Sequence, residues 1–361
     1  MINHLKVSLA KGASHQARWK LMTPASEFWD VTPERFAQDV RKLDQPAILR
    51  GLVADWPVVR ANRDGELGAV EYLARHDIQS DLEFVSAAPG WQGRFHYTPD
   101  MRAFTFERHR ARYRDFLDVL GAAAATPHPR AMAIQSLDLE TYFPGFVAAH
   151  QMALVPAEVA PRVWIGNRVK VAIHNDPVEN IACVVGGRRR FTLFPPDQIG
   201  NLYLGPLHVT PAGTPISMVD LIDPDLERYP RFRTALRVAQ VADLEPGDAL
   251  YIPYQWYHHV ESLDSINVLV NYWWNRALTA FSEPWEALVH ALGTIGQLSP
   301  AQRAAWKSAF DYYVFKTSGD PGAHLPEFTR GLLGEMSASD LEKVRAMLVV
   351  SLSRVNSRSM S

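Results

Sequence analysis

The chain has 361 residues, and its 37 Lys and Arg against 39 Asp and Glu give a formal net charge of -2. This balance excludes both a global basic field for nucleic acid and a strongly acidic, self-repelling chain. The hydrophobic share of 47% and charged share of 21% are those of a globular protein with ample capacity for a buried core. One cysteine, Cys183, excludes an internal disulfide and a thiolate metal cluster, and fits a reducing compartment.

Met1 to Lys20 lacks the apolar region of a signal peptide, and no apolar run approaches a membrane span. A cytoplasmic protein with no membrane and no nucleic-acid partner is therefore expected. Thr32 is placed to cap a helix with Pro33 and Glu34 in its first turn and Phe36, Val40 and Leu43 along one face. Residues 46–49 read as a short buried strand closed at Gly51. Helices are predicted over 66–74 and 113–124, the second with Phe116, Val119 and Leu120 at helical spacing.

From about Arg162 the texture changes to short β-rich runs between Pro, Gly and Asp turns. Strands are predicted over 163–165, 169–173, 181–185, 189–194, 238–241, 249–252 and 266–274. Gly186-Gly187 reads as a hairpin, and Pro246-Gly247 as the centre of a type II turn. Many short strands separated by turn signals predict an antiparallel sandwich or barrel. After Arg276 the pattern is helical, with starts at Ser282, Ser299 and Ser339. Trp306, Phe310 and Tyr313, and then Leu341, Val344 and Leu348, form apolar faces that either cover the barrel or pair with another subunit.

The strongest chemical signal is Ile173-His174-Asn175-Asp176-Pro177. In an extended segment, residues i and i+2 point to one side, so His174 and Asp176 can converge on one ion. A third donor lies in Trp256-Tyr257-His258-His259-Val260. Two histidines and a carboxylate form a facial triad for Fe(II), which leaves positions for a bidentate 2-oxo acid and dioxygen. Spacing alone leaves two questions open. Strand alternation does not choose between His258 and His259, and His174 with Asp176 can equally form a hydrogen-bonded structural pair.

The stretch 174–274 resembles the Jumonji-C group of cupin-fold oxygenases, in the cupin-like branch that includes the asparaginyl hydroxylase of hypoxia-inducible factor. The resemblance runs through His174-Asn175-Asp176, Arg190-Phe191-Thr192-Leu193-Phe194-Pro195-Pro196-Asp197-Gln198, Pro246-Gly247-Asp248, Trp256-Tyr257-His258-His259-Val260-Glu261-Ser262 and Val270-Asn271-Tyr272-Trp273. Weaker similarity covers Pro46-Ala47-Ile48-Leu49-Arg50-Gly51. It implies a mainly β fold: a double-stranded β-helix (cupin, or jelly-roll) core over about 160–275, in a domain spanning 1–277 with N-terminal α/β elements. Residues 278–361 then form a C-terminal helical region that dimerises. It implies His174, Asp176 and His258 as ligands of Fe(II), with His259 on the opposite face. It places Arg189 where the relative has a lysine that holds the distal carboxylate of 2-oxoglutarate, a role a guanidinium fork can fill. Asn180 and Asn271 match asparagines near that co-substrate.

Two positions depart from the pattern. Val171 and Ala133 stand where the relative has a threonine and a tyrosine touching the co-substrate. Lys170, Thr192, Tyr203 and Tyr272 are candidates to compensate. The expected activity is hydroxylation of a C–H bond of a protein or peptide side chain or of a small molecule, with 2-oxoglutarate and dioxygen as co-substrates. The alternative is a non-oxygenase metal-binding cupin acting as a ligand sensor or structural module. With no chromatin-reader segment and no zinc cluster, a histone-type demethylase is not expected.

Overall fold

The computed structural model describes residues 22–211, 213–275 and 283–353, so the readings of Met1 to Lys20 and of Ser282 lie outside the described residues. The chain divides into two compact units, Met1–Asn275 and Arg276–Ser361. The first is built on eight strands: β1 (Pro161–Gly166), β2 (Lys170–Asn175), β3 (Glu179–Gly186), β4 (Arg189–Phe194), β5 (Gln240–Leu244), β6 (Ala249–Ile252), β7 (Tyr257–Ser262) and β8 (Asn267–Trp274). They form two facing sheets. In the smaller the order is β5-β4-β7-β2, flanked by Thr23–Pro24 and Arg94–Phe95. In the larger it is β6-β3-β8-β1. Ala47–Arg50 and Ser26–Trp29 extend the larger sheet on the β6 side, and Ala131–Asp138, Asp81–Ala87 and Phe106–Arg112 extend it on the β1 side. Strands that pass back and forth between two sheets in this way make a double-stranded β-helix.

Side-chain alternation assigns the faces. Ala182, Val184, Phe191, Leu193, Leu250, Val260 and Leu269 meet between the sheets. Ile181, Cys183, Val185, Val268 and Val270 point the other way, to a core shared with helices α1 (Pro57–Asn62), α2 (Gly68–Ala74) and α3 (Tyr113–Ala124). Every residue of β3 is buried, which is why 181–185 reads as one unbroken apolar run. On the outer face of the smaller sheet, Ile173, Phe194 and Tyr257 pack on Phe232 and Ala235 of α4 (Phe232–Val238).

Two glycine turns set the frame. Gly187 links β3 to β4 at φ +66°, and a Cβ there would lie 2.3 Å from the Ile266 carbonyl oxygen, so only glycine fits. At Glu245-Pro246-Gly247-Asp248 the Asp248 amide donates to the Glu245 carbonyl at 3.0 Å, with Gly247 at φ +107°. The Asp248 carboxylate also accepts from the Gly51 amide at 3.0 Å, which ties Ala47–Arg50 to β6.

Several local expectations shift. Thr32 does cap the helix, accepting from the Arg35 amide at 3.3 Å. The chain then widens into a π turn, Phe36–Val40, and tightens into a 3-10 turn, Arg41–Leu43. Those changes of pitch rotate the face, so Phe36 and Val40 are buried while Leu43 is exposed. On α3 the buried set is Tyr113, Phe116, Leu117 and Leu120, and Val119 faces solvent. Residue 238 ends α4 rather than starting a strand, so β5 begins at Gln240.

The second unit holds α5 (Pro284–Gly293), α6 (Pro300–Tyr313) and α7 (Ala338–Ser353). Ser299 and Gln302 form a reciprocal capping box on α6. The cap of α5 is Glu283, and at α7 it is Ser337, not Ser339, that accepts from the Asp340 amide, at 3.2 Å. Trp285, Leu288, Val289, Trp306, Tyr313 and Leu348 are exposed. Among the described residues no helix is long and apolar enough to cross a membrane.

Candidate metal centre

His174 is next to last in β2 and His258 is second in β7, and the two are register partners across the smaller sheet. The pairing then slips: Val260 opposes Val171, so β2 spends three residues where β7 spends two. This is a β-bulge, and it re-aims a side chain. Val171 packs between the sheets beside Val260. Plain alternation from Val171 would send Ile173 inward, but Ile173 lies in the outer cluster and His174 turns in.

The result is one cluster. Donor atoms of His174, Asp176 and His258 all lie within 4.8 Å of one another. His258 Nε2 is 3.7 Å from Asp176 Oδ2, and the two imidazole centroids are 4.4 Å apart. Each ring donates its Nδ1–H to the backbone two residues earlier, His174 to the Ala172 carbonyl at 2.9 Å and His258 to the Trp256 carbonyl at 3.2 Å. That tautomer turns both Nε2 lone pairs towards the cluster. Burial, with the neighbouring His174, pushes the His258 imidazole down to about 4 against a partial offset from Asp176. The ring is therefore neutral near pH 7, the form that ligates a metal. One acidic and two imidazole donors, with no sulfur, suit Fe(II).

His259 points to the opposite face of the sheet. There it borders a separate cavity of about 300 Å³ with Lys170, Ala172, Trp91 and Tyr97.

The β4–β7 pairing runs without a shift: Leu193 opposes His258, Phe191 opposes Val260 and Arg189 opposes Ser262. Arg189 thus shares the inner face with His258. Its neighbours behave as surface residues, Arg188 pairing with Asp264 at 2.7 Å and Arg190 with Asp243 at 2.6 Å. Arg189 is only 6% exposed, and its buried Nε has no hydrogen-bond partner. Burial pulls its guanidinium down to about 9. The Ser262 hydroxyl across from it is also buried without a partner.

Asn180 and Asn271 both lie on the inner face of the larger sheet, where Asn271 Nδ2 donates to Asn180 Oδ1 at 3.4 Å. Trp164 Nε1 donates to Asn271 Oδ1 at 2.8 Å, and the buried Trp273 Nε1 beside them has no acceptor. The hydroxyls lost at Val171 and Ala133 are not replaced by the residues proposed to compensate. Tyr203 Oη accepts from the Arg231 amide, and Tyr272 Oη donates to the His150 carbonyl in the outer core. Thr192 lies on the outer face opposite His259, and Lys170 lines the outer cavity. Trp164 and Ser262 are pocket residues that residue patterns alone do not single out. For Ser262 spacing carries part of the signal: it follows His258 by four residues on one strand, which places it on the same face.

A double-stranded β-helix with two histidines and an aspartate gathered at one end of the smaller sheet defines a cupin of the Jumonji-C type. Residues 33–280 match the family model for the cupin-like domain, and the chain belongs to that family. It is similar to lysine-specific demethylase JMJ31 of Arabidopsis thaliana, 38% identical over 31% of this chain and 20% of that protein. HSPB1-associated protein 1 of Bos taurus is 26% identical over 67% of this chain and 50% of its own length. tRNA wybutosine-synthesizing protein 5 of Danio rerio is 25% identical over 79% of this chain and 89% of its own. The chain thus spans half or less of the length of the first two.

Proposed function

We propose that the protein is an Fe(II)- and 2-oxoglutarate-dependent dioxygenase that hydroxylates a C–H bond of a protein or peptide side chain or of a small molecule. The observation that carries this reading is an unpaired buried Arg189 on the same inner face as the triad of His174, Asp176 and His258. A buried cation without a counter-ion is costly, and a dicarboxylate co-substrate supplies the missing charge. When bound, the iron and 2-oxoglutarate supply the oxidative decarboxylation to succinate and carbon dioxide that puts one oxygen atom of dioxygen into the substrate. This chain's residues hold and orient. His174, Asp176 and His258 would hold the ion. Arg189 would hold the far carboxylate of the co-substrate. Phe191, Val260 and Val184 line the space between the sheets with apolar surface that excludes water. Asn180, Asn271 and the Trp273 indole N–H offer polar contacts at the opposite wall.

The absence of a hydroxyl at Val171 and Ala133 favours a second reading, a cupin that uses its metal for sensing or structure. Anaerobic addition of Fe(II) and 2-oxoglutarate separates the two. Charge-transfer absorption in the visible, followed by succinate formation on admission of air, is the result expected of an oxygenase. Tightly held zinc with neither signal overturns it. The exposed apolar side chains of α5, α6 and α7 support a homodimer through the C-terminal region. Sedimentation at the 40.6 kDa of one chain at micromolar concentration would remove that part of the proposal. The free, buried Cys183 supports a reducing, cytoplasmic setting.

A further inference from the structure

We propose that Ser262 is a direct ligand of the co-substrate, its hydroxyl and the Arg189 guanidinium together forming the pocket for the distal carboxylate of a 2-oxo diacid. The inference rests on the oxygenase reading above and adds to it a residue from a different strand.

Arg189 and Ser262 are register partners on β4 and β7, in a ladder with no slip from Phe194↔Tyr257 to this pair. Both side chains turn between the sheets, both residues are at most 6% exposed, and each has a buried polar atom without a hydrogen-bond partner. Native interiors rarely leave such groups unpaired, and two of them facing each other point to one absent acceptor. A donor pair of one cation and one hydroxyl fits a carboxylate. One oxygen accepts from the guanidinium fork, and the other accepts a hydrogen bond from the serine hydroxyl.

The surroundings narrow the ligand further. Between this pair and His258 lie Val260, Phe191 and Val171, an apolar stretch suited to methylene groups. Ser262 lies four positions along β7 from His258, a backbone rise of about 13 Å, part of which the long Arg189 side chain spans. A ligand joining the two ends needs a metal-chelating head, a short apolar chain and a second carboxylate. Oxalate has the head alone. Val171 and Ala133 carry no hydroxyl, and Ser262 supplies one from β7.

The test is calorimetric titration of the Mn(II)-loaded protein, without turnover, using wild type, Ser262→Ala and Ser262→Thr. Each is titrated with 2-oxoglutarate and with oxalate. A hydrogen bond to a charged group predicts 2-oxoglutarate binding about 10-fold weaker in Ser262→Ala. Oxalate binding stays unchanged, and Ser262→Thr recovers the 2-oxoglutarate affinity. If Ser262→Ala binds 2-oxoglutarate like wild type, or loses both ligands equally, the inference is overturned while the oxygenase reading stands. If wild type binds oxalate but not 2-oxoglutarate, the oxygenase reading itself fails.

Discussion

His174 and His258 face each other across β2 and β7 with ring centroids 4.4 Å apart, and they do so because β2 carries one extra residue between His174 and Val171. The bulge lets a strand with an inward Val171 also present an inward His174. The candidate metal cluster therefore depends on sheet register as much as on the identity of its donors.

Asp176 is the carboxylate of that cluster, 17% exposed at its side chain and closest to His258. Replacing it with alanine removes one of three donors. Metal affinity, measured by calorimetry with Fe(II) under anaerobic conditions or with Mn(II), should fall on the order of 100-fold or more. The thermal midpoint of the metal-free protein should change little, since Asp176 is a partly exposed carboxylate whose loss leaves no apolar cavity.

Arg189 gives an unusual pair of expectations. In the ligand-free protein its guanidinium is buried without a counter-charge. Arg189→Met keeps most of the volume and removes that cost, so the ligand-free variant should be more stable, by about 1–3 kcal/mol in denaturant titration. The same variant should lose most of its affinity for 2-oxoglutarate. A drop in stability would mean that the guanidinium is already paired.

Gly187→Ala probes the hairpin that brings Arg189 into place. A φ of +66° and the Ile266 carbonyl 2.3 Å from a new Cβ leave no relaxed solution. A loss of about 1–3 kcal/mol is expected by chemical denaturation. An unchanged midpoint would show that the turn adopts another conformation.

A pH dependence follows from His150 in the core behind the larger sheet. Its Nδ1–H donates to the Phe146 carbonyl at 2.6 Å, and its Nε2 accepts from the Val58 amide at 3.2 Å. Protonation would destroy the second bond. Burial holds the ring below its ordinary value of 6.5. The folded state thus resists a proton that the unfolded chain takes up near pH 6.5. This contribution is fully present above that pH and is lost as pH falls towards the folded-state value. Melting curves from pH 8 to pH 5 should show the midpoint falling below about 6.5. His150→Gln should flatten that slope, and an equal slope in both proteins would assign it to other groups.

Much of the first unit was legible in advance. The strands now called β1, β3, β4, β6 and β8 lie where apolar runs met turn signals, because a strand buried on one or both faces needs those residues. Leu43 and Val119 face solvent rather than the expected core for a different reason. A π turn and a one-position rotation of a helix change which side chains face inward, and neither leaves a compositional mark. The run Arg188-Arg189-Arg190 carries the same lesson. Three identical residues meet three environments, because alternation sends the outer two to Asp264 and Asp243 and the middle one inside.

For the metal centre, the sequence by itself determined the donor types and their order along the chain. His-x-Asp on an extended segment and a later histidine on another strand are local facts of residue identity and spacing. Only the tertiary structure decided that His258 rather than His259 turns inward, that β2 bulges to present His174, and that Arg189 and Ser262 meet unpaired between the sheets. Those outcomes belong to pairing between strands distant in sequence, where a shift of one residue reverses every face.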